Sequence, residues 1–179
     1  MKIKQLLCLI SLGASCIANA AQFSLSSTDI AQDQPLTRRE VFKGFGCDGD
    51  NVSPQLSWRD APLGTKSYAI TVFDPDAPTG SGWWHWTVVN LPVSITSLPR
   101  GVGSNLPAGT VQGRTDYGQP GFGGVCPPAG DKPHHYQFTV WALKAETLPL
   151  DAQASGALVG YLLNVNVLAK ATITPTYQR

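Results

Sequence analysis

Residues 68–86 have the sequence YAITVFDPDAPTGSGWWHW, in which an apolar run changes abruptly into acids, prolines and glycines. β-Branched and aromatic residues dominate Tyr68–Phe73 and predict a strand with buried faces. The two prolines that follow fix φ and remove backbone donors, so the chain must leave the sheet at this point. We therefore expect Asp74 and Asp76 at a strand end, where they form part of a pocket wall.

The tryptophan-rich end of this stretch predicts a second strand. Trp84 and Trp86 alternate with His85, which places the imidazole on the sheet face opposite its two neighbouring indoles. Large aromatic side chains are usually core residues, so we expect both indoles in the core. His85 is then aimed away from them, towards the pocket.

The N-terminus has the pattern of a secretory signal peptide. Two lysines precede an apolar stretch over Leu6–Ile17, and small residues follow at Ala18–Ala20. An apolar stretch of about a dozen residues is short for a bilayer, which needs roughly 20. We predict a signal peptide over residues 1–20, cleaved after Ala20 or Ala21, and a mature protein that is periplasmic or secreted.

Residues 21–179 are predicted to form one domain, because a chain of this size can bury most of its surface in a single core. The whole chain has 13 Lys and Arg against 12 Asp and Glu, a balance that gives no electrostatic attraction to nucleic acid. The 18 glycines and 14 prolines favour a turn-rich, mainly β domain. No later stretch approaches the length of a membrane span, so no integral membrane segment is predicted.

The cysteines predict one disulfide in the mature chain. Cys8 and Cys16 fall within the signal peptide, which leaves Cys47 and Cys126. Two cysteines in an oxidising compartment favour a disulfide, with two buried free thiols as the alternative.

Other segments predict short strands and one helix. Phe23–Ser27 and Thr37–Phe42 are predicted as short strands, and Gln137–Leu143 as a longer one. Ser155 is a suitable N-cap for a C-terminal helix. Apolar residues at helical spacing are predicted to pack on the sheet: Leu158, Leu162, Val165 and Leu168 or Ala169.

Several motifs occur together in one order along the chain. They are NVSPQLSW at 51–58, DPDAP at 74–78, WWHW at 83–86, CPP at 126–128 and HHY at 134–136. With these motifs the chain resembles the phosphatidylethanolamine-binding protein family, in particular its bacterial Raf-kinase-inhibitor-like branch. The resemblance implies a single-domain, mainly β fold, in which a large central sheet packs on a smaller one, with one C-terminal α-helix and short helical turns.

The resemblance also implies a small pocket that binds anions such as phosphate head groups. Carried over by motif position, the ligand-binding residues are Asp74, Asp76, Pro78, Trp83, His85, Pro127, Pro128, His134 and Tyr136. Two imidazoles can donate hydrogen bonds to an oxyanion, and Asp74 would hold the other nitrogen of one of them and favour its donor tautomer or the charged ring. Asp76 can instead cap its own proline turn, and Tyr136 can supply a hydroxyl or only a packing surface. His135 alternates away from His134 and is predicted at the surface.

These residues favour an exported protein that binds a small phosphorylated or carboxylated ligand and modulates a signalling protein or protease. It is predicted to be a monomer or homodimer, not an enzyme, with no cofactor. One alternative is a hydrolase using Asp74 with His85 or His134 as base, but the chain has no G-x-S-x-G motif. Another is a protein-interaction inhibitor that does not use the pocket. Zinc could be bound by the acids and histidines, but their spacing matches no ligand pattern, so no metal is predicted.

Overall fold

The computed structural model describes residues 22–179, and the predicted signal peptide lies outside the described residues. The strands are β1 (Ser24–Ser26), β2 (Lys43–Gly44), β3 (Cys47–Asp48), β4 (Leu56–Arg59), β5 (Ser67–Asp74), β6 (Trp83–Pro92), β7 (Ser97–Leu98), β8 (Val111–Gln112), β9 (His134–His135), β10 (Gln137–Leu143), β11 (Val167–Ile173) and β12 (Thr176–Tyr177). Helix α1 spans Gly156–Asn166, and a 3₁₀ helix spans Arg38–Glu40. No helix within residues 22–179 is both long and apolar enough to cross a membrane.

The central sheet has five antiparallel strands in the order β11-β10-β5-β6-β8, and a smaller sheet has the order β1-β4-β7. One core cluster joins the two sheets and includes Trp58 and Ile70. A second cluster, with Val89 and Leu163, lies between the central sheet and α1. This arrangement confirms the predicted mainly β fold, and β10 has the predicted bounds.

Strand β6 contains a bulge at His85 that changes the predicted arrangement of the indoles. Val72 pairs with Trp86 and Phe73 with Trp84, so His85 is an extra residue. Trp86 belongs to the core between the sheets, whereas Trp84 contacts α1, where a Cβ on Gly156 would lie 2.1 Å from the indole Cγ. The prediction of one shared face was therefore wrong, because the bulge breaks the alternation.

The predicted helical stripe was also wrong. Ser155 is the N-cap, and its Oγ accepts from the Leu158 backbone N–H at 3.3 Å. However, Leu158 and Val165 are 47% and 52% exposed, while α1 buries Gly156, Val159, Gly160 and Leu163. Helix α1 is apolar on most sides, so periodicity does not identify one face, and Gly156 is needed against the Trp84 indole. Leu168 and Ala169 belong to β11.

The prediction of a strand over Thr37–Phe42 was wrong as well. This segment forms the 3₁₀ helix, with Thr37 as N-cap. The Glu40 carboxylate accepts from the Thr37 backbone N–H at 3.1 Å, which completes a capping box. The local cap therefore prevails over the extended pattern. Phe23–Ser27 does contain a strand, β1.

Candidate functional site

A cavity of about 210 Å³ opens where β5 ends and β6 begins. It is lined by Phe45, Asp74, Ala77, Pro78, Thr79, Trp83, His85, Tyr117, Cys126, Pro127, Pro128 and His134. All of the predicted ligand-binding residues except Asp76 and Tyr136 are in this lining. The two motifs that are distant in sequence therefore meet at one cavity.

Asp74 and His134 form a buried pair at the base of the site. The carboxylate Oδ2 accepts from His134 Nδ1 at 2.7 Å, and Oδ1 accepts from the backbone N–H of Asp76 at 2.8 Å. The second ring nitrogen of His134, Nε2, lies 3.4 Å from the Asp131 carboxylate. The imidazole thus has a carboxylate oxygen near each nitrogen, which fixes its orientation.

His85 is held differently, by backbone carbonyls. Its Nδ1 donates to the carbonyl oxygens of Gly123 at 2.9 Å and Gly124 at 3.1 Å. Because carbonyls only accept, Nδ1 carries the hydrogen, and Nε2 of the neutral ring is an acceptor. Burial lowers the pKa of His85, opposed by the hydrogen bonds to these carbonyls and by the charge of Asp74. Nε2 is buried and has no hydrogen-bond partner within residues 22–179.

The carbonyls that hold His85 are themselves fixed by Asn51, a residue that the sequence analysis did not select. Its side-chain oxygen accepts from the Gly124 backbone N–H at 2.7 Å, and its amide nitrogen donates to the Phe122 carbonyl at 3.2 Å. The Gly123 N–H also donates to the backbone carbonyl of His85 at 2.8 Å, which closes the loop onto the bulge. The NVSP and GFGG sequences are therefore connected through this amide.

Aromatic rings form the outer wall of the cavity. The Tyr117 ring lies edge-on to Phe45 and Trp83, with centroid distances of 5.2 and 5.3 Å. The Tyr117 hydroxyl donates to the Gly124 carbonyl at 3.0 Å, and burial raises the pKa of that hydroxyl. The sequence analysis did not select Phe45 or Tyr117, although aromatics between glycines in both loops were the pattern that could have found them.

Asp76 and Tyr136 lie outside the lining. Asp76 accepts from both the backbone N–H and Nδ1 of His135, at 2.8 and 2.7 Å, and faces away from the cavity with this exposed histidine. Tyr136 is fully buried, with its ring centroid 5.3 Å from that of His85. Burial raises the pKa of its hydroxyl, and the nearby Asp74 carboxylate raises it further. Tyr136 therefore supports His85 from behind.

Two cross-links hold the cavity walls together. Cys47 and Cys126 lie at disulfide distance, with their sulfur atoms 2.06 Å apart, which is the pairing that the sequence predicted. Arg179 donates to the carbonyls of Pro127 at 2.6 Å and Gly46 at 2.8 Å. Both links join the β2–β3 hairpin, which carries Phe45, to the proline rim.

The lining contains no Lys or Arg. Within the described part of the chain, no group of three or more His, Cys, Asp or Glu residues is placed to hold a metal ion. The chemical features of the site are therefore two imidazoles, one carboxylate and an aromatic wall.

A family model described as phosphatidylethanolamine-binding protein matches residues 26–178. The chain belongs to the phosphatidylethanolamine-binding protein family. Two curated Escherichia coli relatives belong to the predicted bacterial branch. The chain is 61% identical over 165 residues to the UPF0098 protein YbcL, covering 90% of each chain. It is 51% identical over 156 residues to the UPF0098 protein YbhB, covering 86% of this chain and 98% of that protein.

Solved structures of this family have the same fold. The crystal structure of E. coli YbcL, described as a new member of the mammalian PEBP family, superposes with a TM-score of 0.87 at 60% identity, over 89% of this chain and 99% of that one. A Chlamydia trachomatis homologue described as a putative phosphatidylethanolamine-binding protein has a TM-score of 0.73 at 28% identity, over 88% of this chain and 97% of that one. The family and fold predictions are therefore confirmed.

Proposed function

We propose that the protein binds a small oxyanion, a phosphoryl group or a carboxylate, in the cavity between His85 and His134. The observation that carries this proposal is that two residues of the cavity lining have buried polar atoms without partners within residues 22–179: Trp83 Nε1 and His85 Nε2. Buried polar groups are normally hydrogen-bonded, so such a cluster at a cavity indicates groups that serve a ligand. The surrounding rings and prolines would exclude water from the bound group.

The proposal is tested by NMR titration with inorganic phosphate. The chain has three histidines, and each reports a different environment. We expect phosphate to shift the imidazole signals of His85 and His134 at millimolar concentrations, and to leave His135 unchanged because it pairs with Asp76 outside the lining. If His85→Ala binds phosphate as the native protein does, the assignment of the site is wrong.

Hydrolysis is the second candidate, because the Asp74–His134 pair resembles a base held by a carboxylate. No activated side-chain nucleophile accompanies the pair within the described lining. The Thr79 hydroxyl donates to the Gly82 carbonyl, and Cys126 is at disulfide distance from Cys47. Turnover of a generic phosphomonoester that is lost in His134→Ala would favour hydrolysis over simple binding.

We also propose that the mature protein is exported. The support is the signal-like sequence over residues 1–20 and the cysteine pair, since disulfides persist in oxidising compartments. In that compartment the bound ligand would be taken from the periplasm or the surroundings of the cell, and a protein target such as a protease would be met there. Mass spectrometry of the intact protein recovered by osmotic shock should give the mass of the chain without its signal peptide. Protein of uncleaved mass found only in the cytosolic fraction would contradict export.

A further inference from the structure

The two nitrogens of His85 have unequal surroundings. Nδ1 donates to the carbonyls of Gly123 and Gly124. The loop that carries both carbonyls is held by the Asn51 amide. The hydrogen cannot move from Nδ1 to Nε2 in the neutral ring, because the lone pair then left on Nδ1 would face two carbonyl oxygens, which also only accept. The neutral ring therefore presents a lone pair on Nε2, which is buried and unpartnered.

A lone pair is the wrong partner for a fully deprotonated oxyanion. An oxyanion oxygen also has only lone pairs, so no hydrogen bond forms between it and the neutral Nε2. The lining supplies no Lys or Arg to compensate the charge, and burying an uncompensated charge is costly. One hydrogen placed between the ligand oxygen and Nε2 would remove both difficulties.

The other titratable groups around the ring do not already supply this hydrogen. Charges on two acids act on His85, two tyrosine rings lie edge-on to it, and a second imidazole lines the same cavity; these groups are Asp74, Asp116, Tyr117, Tyr136 and His134. The Tyr117 hydroxyl donates to the Gly124 carbonyl, and Tyr136 lies outside the lining, with its hydroxyl near Asp74. His134 directs Nδ1 at Asp74 and has Asp131 beside Nε2. The acids favour a positive charge on His85 once a ligand compensates its desolvation.

We propose that the cavity binds a phosphate monoester or similar oxyacid together with one proton, which lies between a ligand oxygen and His85 Nε2. This rests on the proposed function and adds the class of ligand and the stoichiometry of binding. Near pH 8 a phosphate monoester is a dianion, because its second pKa is about 6. The protonated buffer supplies the proton and becomes its conjugate base, the bound unit gains one positive charge, and no covalent bond in the ligand is broken.

The test is calorimetry with methyl phosphate, which has no other titrating group, near pH 8 in two buffers of different ionisation enthalpy. The difference in apparent enthalpy gives the number of protons taken up. We expect about one proton per ligand and a roughly tenfold weaker affinity for each pH unit above this, as linkage requires. His135→Gln is the matched control, since it removes an exposed imidazole outside the lining, and it should still take up one proton.

His85→Gln replaces the ring by an amide that can donate without titrating, so its binding should take up no proton. If methyl phosphate binds the native protein without proton uptake, this inference is overturned while the proposed function stands. Proton uptake that persists in His85→Gln would also overturn it, because the proton would then be held elsewhere. If neither methyl phosphate nor acetate binds near pH 6 or 8, the proposed function itself fails.

The histidine signals of the native protein give a second measurement that needs no variant. Carbon and nitrogen shifts of the His85 ring distinguish a neutral Nδ1–H tautomer from the imidazolium or from a ring sharing a proton with a ligand. We expect the neutral tautomer without ligand near pH 8 and a shift towards the imidazolium on saturation with methyl phosphate. A ring that stays neutral on saturation, with Nε2 shifts unchanged, would overturn the inference even if His85→Gln does not fold.

Discussion

Replacing Asn51 should damage the site without touching its lining. Asn51 has φ of 53°, in the left-handed region that asparagine tolerates better than most residues. Its amide makes two hydrogen bonds, to the Gly124 N–H and the Phe122 carbonyl. In Asn51→Ala both bonds are lost, at about 1 kcal/mol each, and leaving the buried Gly124 N–H unsatisfied adds about 1 kcal/mol. Alanine in the left-handed region adds about 1 kcal/mol. The total is about 4 kcal/mol of unfolding free energy.

Urea denaturation of a matched series separates these contributions. Asn51→Gly loses the hydrogen bonds but is free of the backbone strain, so it should lose about 3 kcal/mol. Asn51→Asp keeps the acceptor for the Gly124 N–H and should lose about 1 to 2 kcal/mol. The His85 imidazole signals should shift in Asn51→Ala, because the carbonyls that accept from its Nδ1 are released. Asn51→Ala with stability within about 1 kcal/mol of the native protein, and unchanged His85 signals, would refute this reasoning.

Two further predictions concern stability. Replacing Cys47 and Cys126 by Ser should lower the free energy of unfolding by about 4 kcal/mol in the chain-entropy model, because the pair closes a loop with a sequence separation of 79. Urea denaturation measures this loss, and reductant should not change the stability of the double variant. A loss below about 1 kcal/mol would show that the disulfide does not constrain the unfolded chain as this model requires. Gly156→Ala should cost about 1 to 3 kcal/mol, since its Cβ would lie 2.1 Å from the Trp84 Cγ. Gly160→Ala is its control, because its contacts of 3.2 Å with the edge of the same indole are offset by about 1 kcal/mol of helix propensity. Equal losses in both variants would show that the closer approach of the indole to Gly156 is not the cause.

Local patterns were sufficient for the long strands β5, β6 and β10 and for the proline turn after Asp74. The run Tyr68–Phe73 lies within β5, and the prolines end the strand where the sequence indicates. Asp74 and His134 come from motifs far apart in sequence, and only the family resemblance predicted that they meet. The structure adds that Asp74 holds Nδ1 of His134. His85, by contrast, donates from Nδ1 to the carbonyls of Gly123 and Gly124, so Nε2 of its neutral ring is left as an acceptor.

The sequence by itself determined which residues can form strands, where the chain must turn and which cysteines can pair, because these follow from side-chain shape and backbone restrictions within a few residues. Only the tertiary structure decided the bulge at His85, the face of α1 that is buried and the role of Asn51. The position of a bulge depends on how two strands and a loop share backbone hydrogen bonds. In a helix that is apolar on most sides, the side that is buried is the one that fits the neighbouring side chains. The hydrogen on His85 Nδ1 is likewise placed by carbonyls 38 and 39 residues away in sequence, and it determines what the cavity offers to a ligand.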